Sequence, residues 1–188
     1  EQPEAIAETI LDRLTDDDSV DLSDIGFGDE VFRKCSRIVI VACGTSYHAG
    51  LVGRYAIERW ARVPVEMDIA SEYRYRDPVI GEDDLVIGIT QSGETADTLA
   101  AMRLARDRGA KVLAITNIMG SQATRDSDAV LFTRAGLEIG VAATKTFVAQ
   151  VAAMYLVALR LAELRGNLGF SEVSRLIHEL RAIPEKME

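Results

Sequence analysis

The chain has 188 residues, of which 21 are basic and 30 acidic, so its formal net charge is −9. Hydrophobic residues make up 48% of the chain, which is typical of a globular domain and too apolar for a disordered one. This length is sufficient for one domain with a sizeable core that needs no metal or disulfide. The acidic balance argues against nucleic acid as a partner.

Cys35 and Cys43 are too few for a disulfide framework or a thiolate zinc site, and we expect both to be buried thiols in a reducing cytosol. The longest apolar stretch near the C-terminus, residues 151–159, is shorter than the roughly 20 residues of a membrane span. The acidic first segment is unlike a signal peptide. The composition therefore predicts a cytoplasmic protein with no membrane partner.

Residues 1–34 read as an amphipathic helix followed by an acidic connector with little to pack. Residues 35–166 alternate short apolar runs with longer helical patterns. Such nearly continuous apolar runs are typical of strands covered on both faces by helices. We therefore predict a three-layer α/β/α sandwich with a five-stranded, mainly parallel sheet of the flavodoxin-like or Rossmann-like type. The predicted strands are 37–43, 64–70, 84–90, 111–116 and 128–133, and the predicted helices 46–61, 94–109, 120–127 and 144–165.

The last of these helices is apolar nearly all round between residues 151 and 159, which predicts burial in the core or against another chain. Gly166 is the predicted stop signal of this helix. Residues 167–188 follow as a helical tail, which we expect either to dock on the domain or to extend toward a second, missing domain.

Ligands of open parallel sheets bind beyond the carboxyl ends of the strands, so the segments that follow the strands are the candidate site. Two of them, CGTSYHAG (43–50) and TQSGETADT (90–98), combine glycine with hydroxyls and lead into helices. Helix N-termini and hydroxyls together can cradle a phosphate. Plain N-capping explains one such turn, but two at one edge favour a phosphate site.

No GxGxxG or GxxxxGK[ST] pattern follows any predicted strand. The two turns also lack Lys and Arg, which argues against a nucleoside triphosphate with magnesium. A small phosphorylated metabolite fits this composition better.

The segments IVIVACGTSYHAG, IASEYRYR, ITQSGETADTLAAMRLA and GLEIGVAATKTF closely resemble the sugar-isomerase (SIS) domains of phosphosugar-binding proteins. More narrowly, they resemble the first isomerase half of the glutamine–fructose-6-phosphate aminotransferase (glucosamine-6-phosphate synthase) family. The resemblance extends over nearly the whole chain. It implies binding of a phosphorylated hexose, namely fructose 6-phosphate, glucose 6-phosphate or glucosamine 6-phosphate, with no cofactor and no metal.

The resemblance also assigns roles by position. It gives the phosphate to the turn after the third strand, where Ser92 and Thr95 are expected one helical turn apart. It gives sugar contacts to backbone groups of the GVAATK segment, in which Ala143 stands where many family members have serine. The implied substrate-binding residues are Thr45, Ser46, Thr90, Gln91, Ser92, Thr95, Val141 and Ala142.

In the family, a glutaminase domain precedes this half and a second SIS half, with the acid–base residues, follows it. The resemblance therefore implies that this chain binds without catalysing, and that it forms a homodimer. Two alternatives stay open: a sugar-phosphate-sensing module, and a stand-alone phosphosugar isomerase with Glu138 as its base.

We expect structural roles for the other polar and aromatic candidates. Trp60 should lie in the core, and Glu94 should pair with the dipole of its own helix. Glu138 and Lys145 are expected to be structural or interfacial, and residues 74–76 to face either a neighbouring domain or solvent. The histidines, His48 and His178, are expected to make a local hydrogen bond and to be solvated, respectively.

Overall fold

The computed structural model describes residues 1–187 and contains a five-stranded sheet. Its strands are β1 (Arg37–Ala42), β2 (Val65–Ile69), β3 (Asp84–Thr90), β4 (Lys111–Thr116) and β5 (Ala129–Phe132), and they lie in the order β2-β1-β3-β4-β5. All four neighbouring pairs are parallel, with Ile38 of β1 opposite both Val65 of β2 and Leu85 of β3. This confirms the predicted α/β/α class, and the strand order is that of flavodoxin-like sheets.

The predicted helices are confirmed to within a few residues, and two short helices, Asp29–Lys34 and Ala70–Tyr73, were not predicted. The third helix continues into a π-helical turn at Ile57–Ala61, and a 3-10 turn lies at Ser23–Ile25. In the described part of the chain the helices are α1 (Gln2–Ile10), α2 (Asp29–Lys34), α3 (Gly44–Ala56), α4 (Ala70–Tyr73), α5 (Ala96–Asp107), α6 (Gln122–Asp126), α7 (Lys145–Arg165), α8 (Phe170–Arg181) and α9 (Ile183–Lys186).

The strands are buried on both faces, because alternate side chains of each strand join different apolar clusters. Ile38 and Ile40 of β1 face the cluster that includes α7, whereas Val39 and Val41 face the cluster that includes α5. Glycine lets α3 pack closely against α7, because a Cβ built on Gly53 of α3 would lie 2.6 Å from Met154 of α7. The sheet thus separates two helical layers, as the continuous apolar runs predicted.

The head of the chain packs into the core. α1 buries Ile6 and Ile10, which confirms its amphipathic spacing. The expectation that the following acidic stretch has little to pack is wrong, since Val20 and Leu22 are 0% and 3% exposed and join the same cluster as β1. These two apolar residues lack a periodic pattern, so only tertiary packing identifies them. The proposed division at residues 34 and 166 stays a prediction.

The long helix α7 is buried mainly by its own domain. Between residues 151 and 159, only Val151 and Tyr155 are partly exposed. By length and composition α7 could span a membrane, although core helices of soluble proteins meet the same criterion and 61% of its most apolar stretch is buried here. Gly166 ends the helix with a left-handed φ of 66°, as predicted.

The helical tail docks on the domain. α8 buries Val173, Ile177 and Leu180 in the cluster that contains α1 and α7. Of the predicted tail 167–188, residue 188 lies outside the described residues.

Candidate functional site

The candidate site lies at the carboxyl ends of β1 and β3, where the chain leaves the sheet toward opposite layers. β1 leads into α3, which packs against α7, whereas β3 leads into α5 in the other layer. A crevice opens at such a switch point and is the usual ligand site of these sheets. The turns 43–46 and 90–95 therefore adjoin, as the sequence predicted.

The β3–α5 turn is held by hydroxyl groups. Thr90 ends β3 and is 2% exposed, and its Oγ1 lies 3.0 Å from Oγ1 of Thr95 and accepts a hydrogen bond from the Gly93 N–H at 3.2 Å. Ser92 Oγ accepts one from the Glu94 N–H at 3.2 Å. The expectation that Ser92 and Thr95 lie one helical turn apart is wrong, because α5 begins only at Ala96. They are brought together by a turn that precedes the helix.

Neither helix at the crevice has a side-chain N-cap. Cys43 and Thr95 occupy the N-cap positions of α3 and α5, and neither side chain makes a capping hydrogen bond. Within residues 1–187, the hydroxyls of Thr45 and Ser46 take part in no hydrogen bond that meets the usual distance and angle criteria. The first N–H groups of both helices have no intrahelical acceptor by construction. Because no side chain caps these N–H groups, N-capping does not explain the hydroxyls of Thr45, Ser46 and Thr95.

Gly93 allows the turn to pass close to the next loop. Its φ is +68°, in the left-handed region, and a Cβ built on it would lie 2.0 Å from Ser121 Oγ and 3.0 Å from Thr116 Oγ1. The Ser121 hydroxyl is buried and has no hydrogen-bond partner among residues 1–187. A glycine is thus required here by both backbone conformation and space.

Asn117, which follows β4, links two of the site's segments and was missed by the sequence reasoning. Its backbone N–H donates to the carbonyl of Gln91 at 3.2 Å. Its side chain donates to the Gly136 carbonyl at 2.6 Å and accepts from the Ala135 N–H at 2.8 Å and from Thr133 Oγ1 at 3.1 Å. A polar residue directly after an apolar strand, at the edge where ligands bind, was the available signal.

The loop between β5 and α7 carries the remaining predicted residues. Val141 is fully exposed and Ala142 is exposed, so any contact through this segment would use backbone groups or an open apolar surface. Ala143 is half-buried and has no hydroxyl to contribute.

The two carboxylates of the site each bind a helix N-terminus. Glu138 Oε1 accepts from the N–H and hydroxyl of Thr144 at 2.9 and 2.7 Å, while Oε2 accepts from the Thr146 N–H at 3.2 Å. Burial raises the pKa of Glu138, but these hydrogen bonds outweigh it and lower the pKa to about 2. Glu94 was expected to pair with the dipole of its own helix, α5. Its carboxylate instead accepts a hydrogen bond from the Gln122 N–H, at the start of α6, at 2.7 Å.

The other candidates have structural surroundings. His48 is exposed and lies edge-on to Tyr47, whereas His178 is exposed and lies 3.2 Å from an Asp18 oxygen. Trp60 is half-buried and packs on Tyr155.

The charged candidates are paired. Arg74 pairs with Asp97 at 2.7 Å, and Arg76 pairs with Glu66 and Asp68, so residues 74–76 are not a free basic face. Lys145 lies 3.3 Å from a Glu1 carboxylate oxygen. No group of three potential metal ligands occurs within residues 1–187.

Comparisons with known proteins agree with the sequence resemblance. The chain is 56% identical, over 98% of its length, to a glutamine–fructose-6-phosphate aminotransferase (isomerizing) of Mycolicibacterium smegmatis, and 50% identical over its whole length to that of Corynebacterium glutamicum. It spans 29% and 30% of those relatives.

Solved structures give the same result. The C-terminal domain of glucosamine-fructose-6-phosphate aminotransferase from Francisella tularensis matches with a TM-score of 0.91 and 42% identity, covering 98% of this chain and 51% of that one. A putative phosphosugar isomerase from Clostridium difficile matches with a TM-score of 0.81 and 26% identity, covering 97% and 50%. The family model of the SIS domain matches residues 31–160, well over half of the chain, and the chain therefore belongs to the SIS domain family.

Proposed function

We propose that the crevice between the carboxyl ends of β1 and β3 binds the phosphate group of a phosphorylated hexose. The observation that carries this proposal is the set of hydroxyls at two adjoining helix N-termini that do not cap those helices. Backbone N–H groups and the positive ends of α3 and α5 favour an anion there without a basic side chain. The phosphate contacts are assigned to Thr45, Ser46, Thr90, Gln91, Ser92 and Thr95.

The sugar would extend from this crevice toward the β5–α7 loop. Asn117 joins the Gln91 carbonyl to the Gly136 carbonyl, which sets the loop beside the phosphate turn. Val141 and Ala142 would then contact the sugar. The absence of a hydroxyl at Ala143 leaves sugar recognition to backbone groups at that position.

We further propose that the chain is the first isomerase half of an enzyme that converts fructose 6-phosphate and glutamine to glucosamine 6-phosphate and glutamate. The relatives that carry the name glutamine–fructose-6-phosphate aminotransferase are more than three times as long, which agrees with a glutaminase domain and a second SIS half elsewhere in such a protein. The chain by itself would bind the phosphosugar without converting it.

A stand-alone isomerase with Glu138 as base is the less favoured alternative. A general base works best when its pKa lies near the working pH, and the pKa of Glu138 is lowered to about 2. Its lone pairs are also occupied by hydrogen bonds from Thr144 and Thr146. A sensing module would use the same crevice, and the net charge of −9 argues against nucleic acid as its partner.

The cytoplasmic location and the homodimer remain proposals. The partly exposed Val151 and Tyr155 line an apolar groove of about 260 Å³ that a second copy could cover. Sedimentation of the chain at high concentration tests the dimer, and a monomeric mass would contradict it.

Calorimetric titration with glucosamine 6-phosphate tests the phosphate site, with glucosamine as the unphosphorylated comparison. We expect only the phosphorylated sugar to bind, and Ser92→Ala combined with Thr95→Ala to abolish binding. Ser36→Ala is the matched control, because its hydroxyl bonds the Asp83 carbonyl at the opposite edge of the sheet. Equal binding of both sugars, or unaltered binding by the double variant, would refute the assignment.

A further inference from the structure

The Glu138 carboxylate closes the end of the β5–α7 loop onto the first turn of α7. It accepts hydrogen bonds from three successive backbone N–H groups, those of Thr144, Lys145 and Thr146. The hydroxyls of Thr144 and Thr146 donate to it as well. Five donors on one carboxylate make this the most heavily bonded side chain of the loop, and they fix residue 138 directly against residues 144–146.

The segment between these anchor points, residues 139–143, projects from the domain. Ile139 is 90% exposed and Val141 is fully exposed. No hydrogen bond joins residues 139–143 to any other part of residues 1–187. The conformation of this short segment therefore depends on its two ends, which are held by Glu138 on one side and by helix α7 on the other.

We propose that Glu138 is a positioning residue, which holds the backbone of Val141 and Ala142 in place for the sugar portion of a hexose 6-phosphate. The inference rests on the proposed function of the crevice. It assigns sugar discrimination to the loop and phosphate affinity to the turns 43–46 and 90–95, to which Glu138 makes no hydrogen bond. Glu138 touches neither the phosphate nor the sugar in this arrangement.

Because the loop and the two turns are assigned different parts of the ligand, substitution of Glu138 should weaken binding of the sugar portion and not of the phosphate. Glu138→Gln replaces one acceptor oxygen with an amide that opposes the N–H and hydroxyl donors, and Glu138→Ala removes both acceptors. Residues 139–143 must then be ordered when the sugar binds, which weakens the hexose phosphate but not inorganic phosphate. We expect the affinity for glucosamine 6-phosphate to fall about tenfold and that for inorganic phosphate to change less than about twofold.

Calorimetric titrations with glucosamine 6-phosphate and with inorganic phosphate, on the wild-type chain and both variants, test this directly. Glu163→Gln is the matched control, because Glu163 also accepts a backbone N–H bond, from Val20, but lies at the far end of α7. Equal weakening of both ligands, or of neither, would overturn the positioning role.

A second measurement is independent of any ligand. Elastase cleaves after small aliphatic residues, and the segment 139–143 contains several of them. We expect Glu138→Gln and Glu138→Ala, but not Glu163→Gln, to accelerate cleavage within this segment at least about fivefold. An unchanged rate would overturn the proposal even if the wild type binds both ligands. If the Glu138 variants are cleaved faster but the wild-type chain binds neither ligand, the proposed function is refuted, and the positioning role with it. Glu138 would then only anchor the loop to α7.

Discussion

The sharpest stability prediction concerns Gly93, at the centre of the β3–α5 turn. Replacing it with alanine places a side chain at a φ of +68°, which costs about 1–2 kcal/mol for a residue with a Cβ. The added carbon would also lie 2.0 Å from Ser121 Oγ and 2.4 Å from Ser121 Cβ, so the turn or the start of α6 must shift. Overpacking of this kind costs about 1–3 kcal/mol. We therefore expect Gly93→Ala to lower the free energy of unfolding by about 2–5 kcal/mol.

Urea unfolding followed by far-UV circular dichroism measures this loss, and Gly120→Ala separates its two causes. Gly120 has a φ of +70° but no atom within 4 Å of a built Cβ, so it should lose only the conformational part. Adding Ser121→Gly to Gly93→Ala should recover the packing part. Equal losses for the two glycines, or no recovery in the double variant, would show that the contact with Ser121 is not what requires glycine at this position.

Three further predictions concern the same edge of the sheet. Asn117→Ala removes three side-chain hydrogen bonds and should lower the free energy of unfolding by about 1–3 kcal/mol, measured in urea. The pKa of Glu138 is lowered from 4.5 to about 2 in the folded chain, so the ionised carboxylate stabilises the fold fully above pH 4.5. This stabilisation is lost as the pH falls through 2, and the difference in the free energy of unfolding between wild type and Glu138→Gln should vanish between these two pH values. Cys43 is half-buried beside the crevice, whereas burial raises the pKa of Cys35, so Ellman's reagent should label Cys43 first and glucosamine 6-phosphate should slow that labelling.

The fold could be predicted because its strands have a distinct local pattern. β3 is a continuous apolar run from Leu85 to Ile89 and is buried at every residue, which is typical of a strand covered on both faces. β2 differs, with Glu66 and Asp68 alternating with apolar residues, which is typical of an edge strand. The core position of Val20 was not predictable in this way, because it depends on a contact with α7, 143 residues further along the chain, where Glu163 accepts its N–H.

The candidate site was predictable to the level of segments and not of contacts. Thr90, Ser92 and Thr95 were identified because hydroxyls follow a strand, but their geometry depends on a φ of +68° at Gly93 that places the helix start at Ala96. The roles of Asn117 and Glu138 depend on partners 19 and 8 residues away, in segments whose conformation is irregular. Local patterns carry no information on such pairings.

The two edges of the sheet differ in how their polar groups are satisfied. At the amino edge, Arg37 donates two hydrogen bonds to Asp84 and one to Glu66, so each of these carboxylates has a cationic partner. At the carboxyl edge, the hydroxyls of Thr98 and Ser121 are buried and have no hydrogen-bond partner in the part of the chain that the structure describes, and each such group costs about 1–3 kcal/mol. Thr98 lies in α5 and Ser121 directly precedes α6, and a domain selected for stability alone would replace these hydroxyls with apolar side chains of similar size. Their place at the carboxyl edge, where Ser121 adjoins Gly93, supports the proposal of a polar ligand beside these turns.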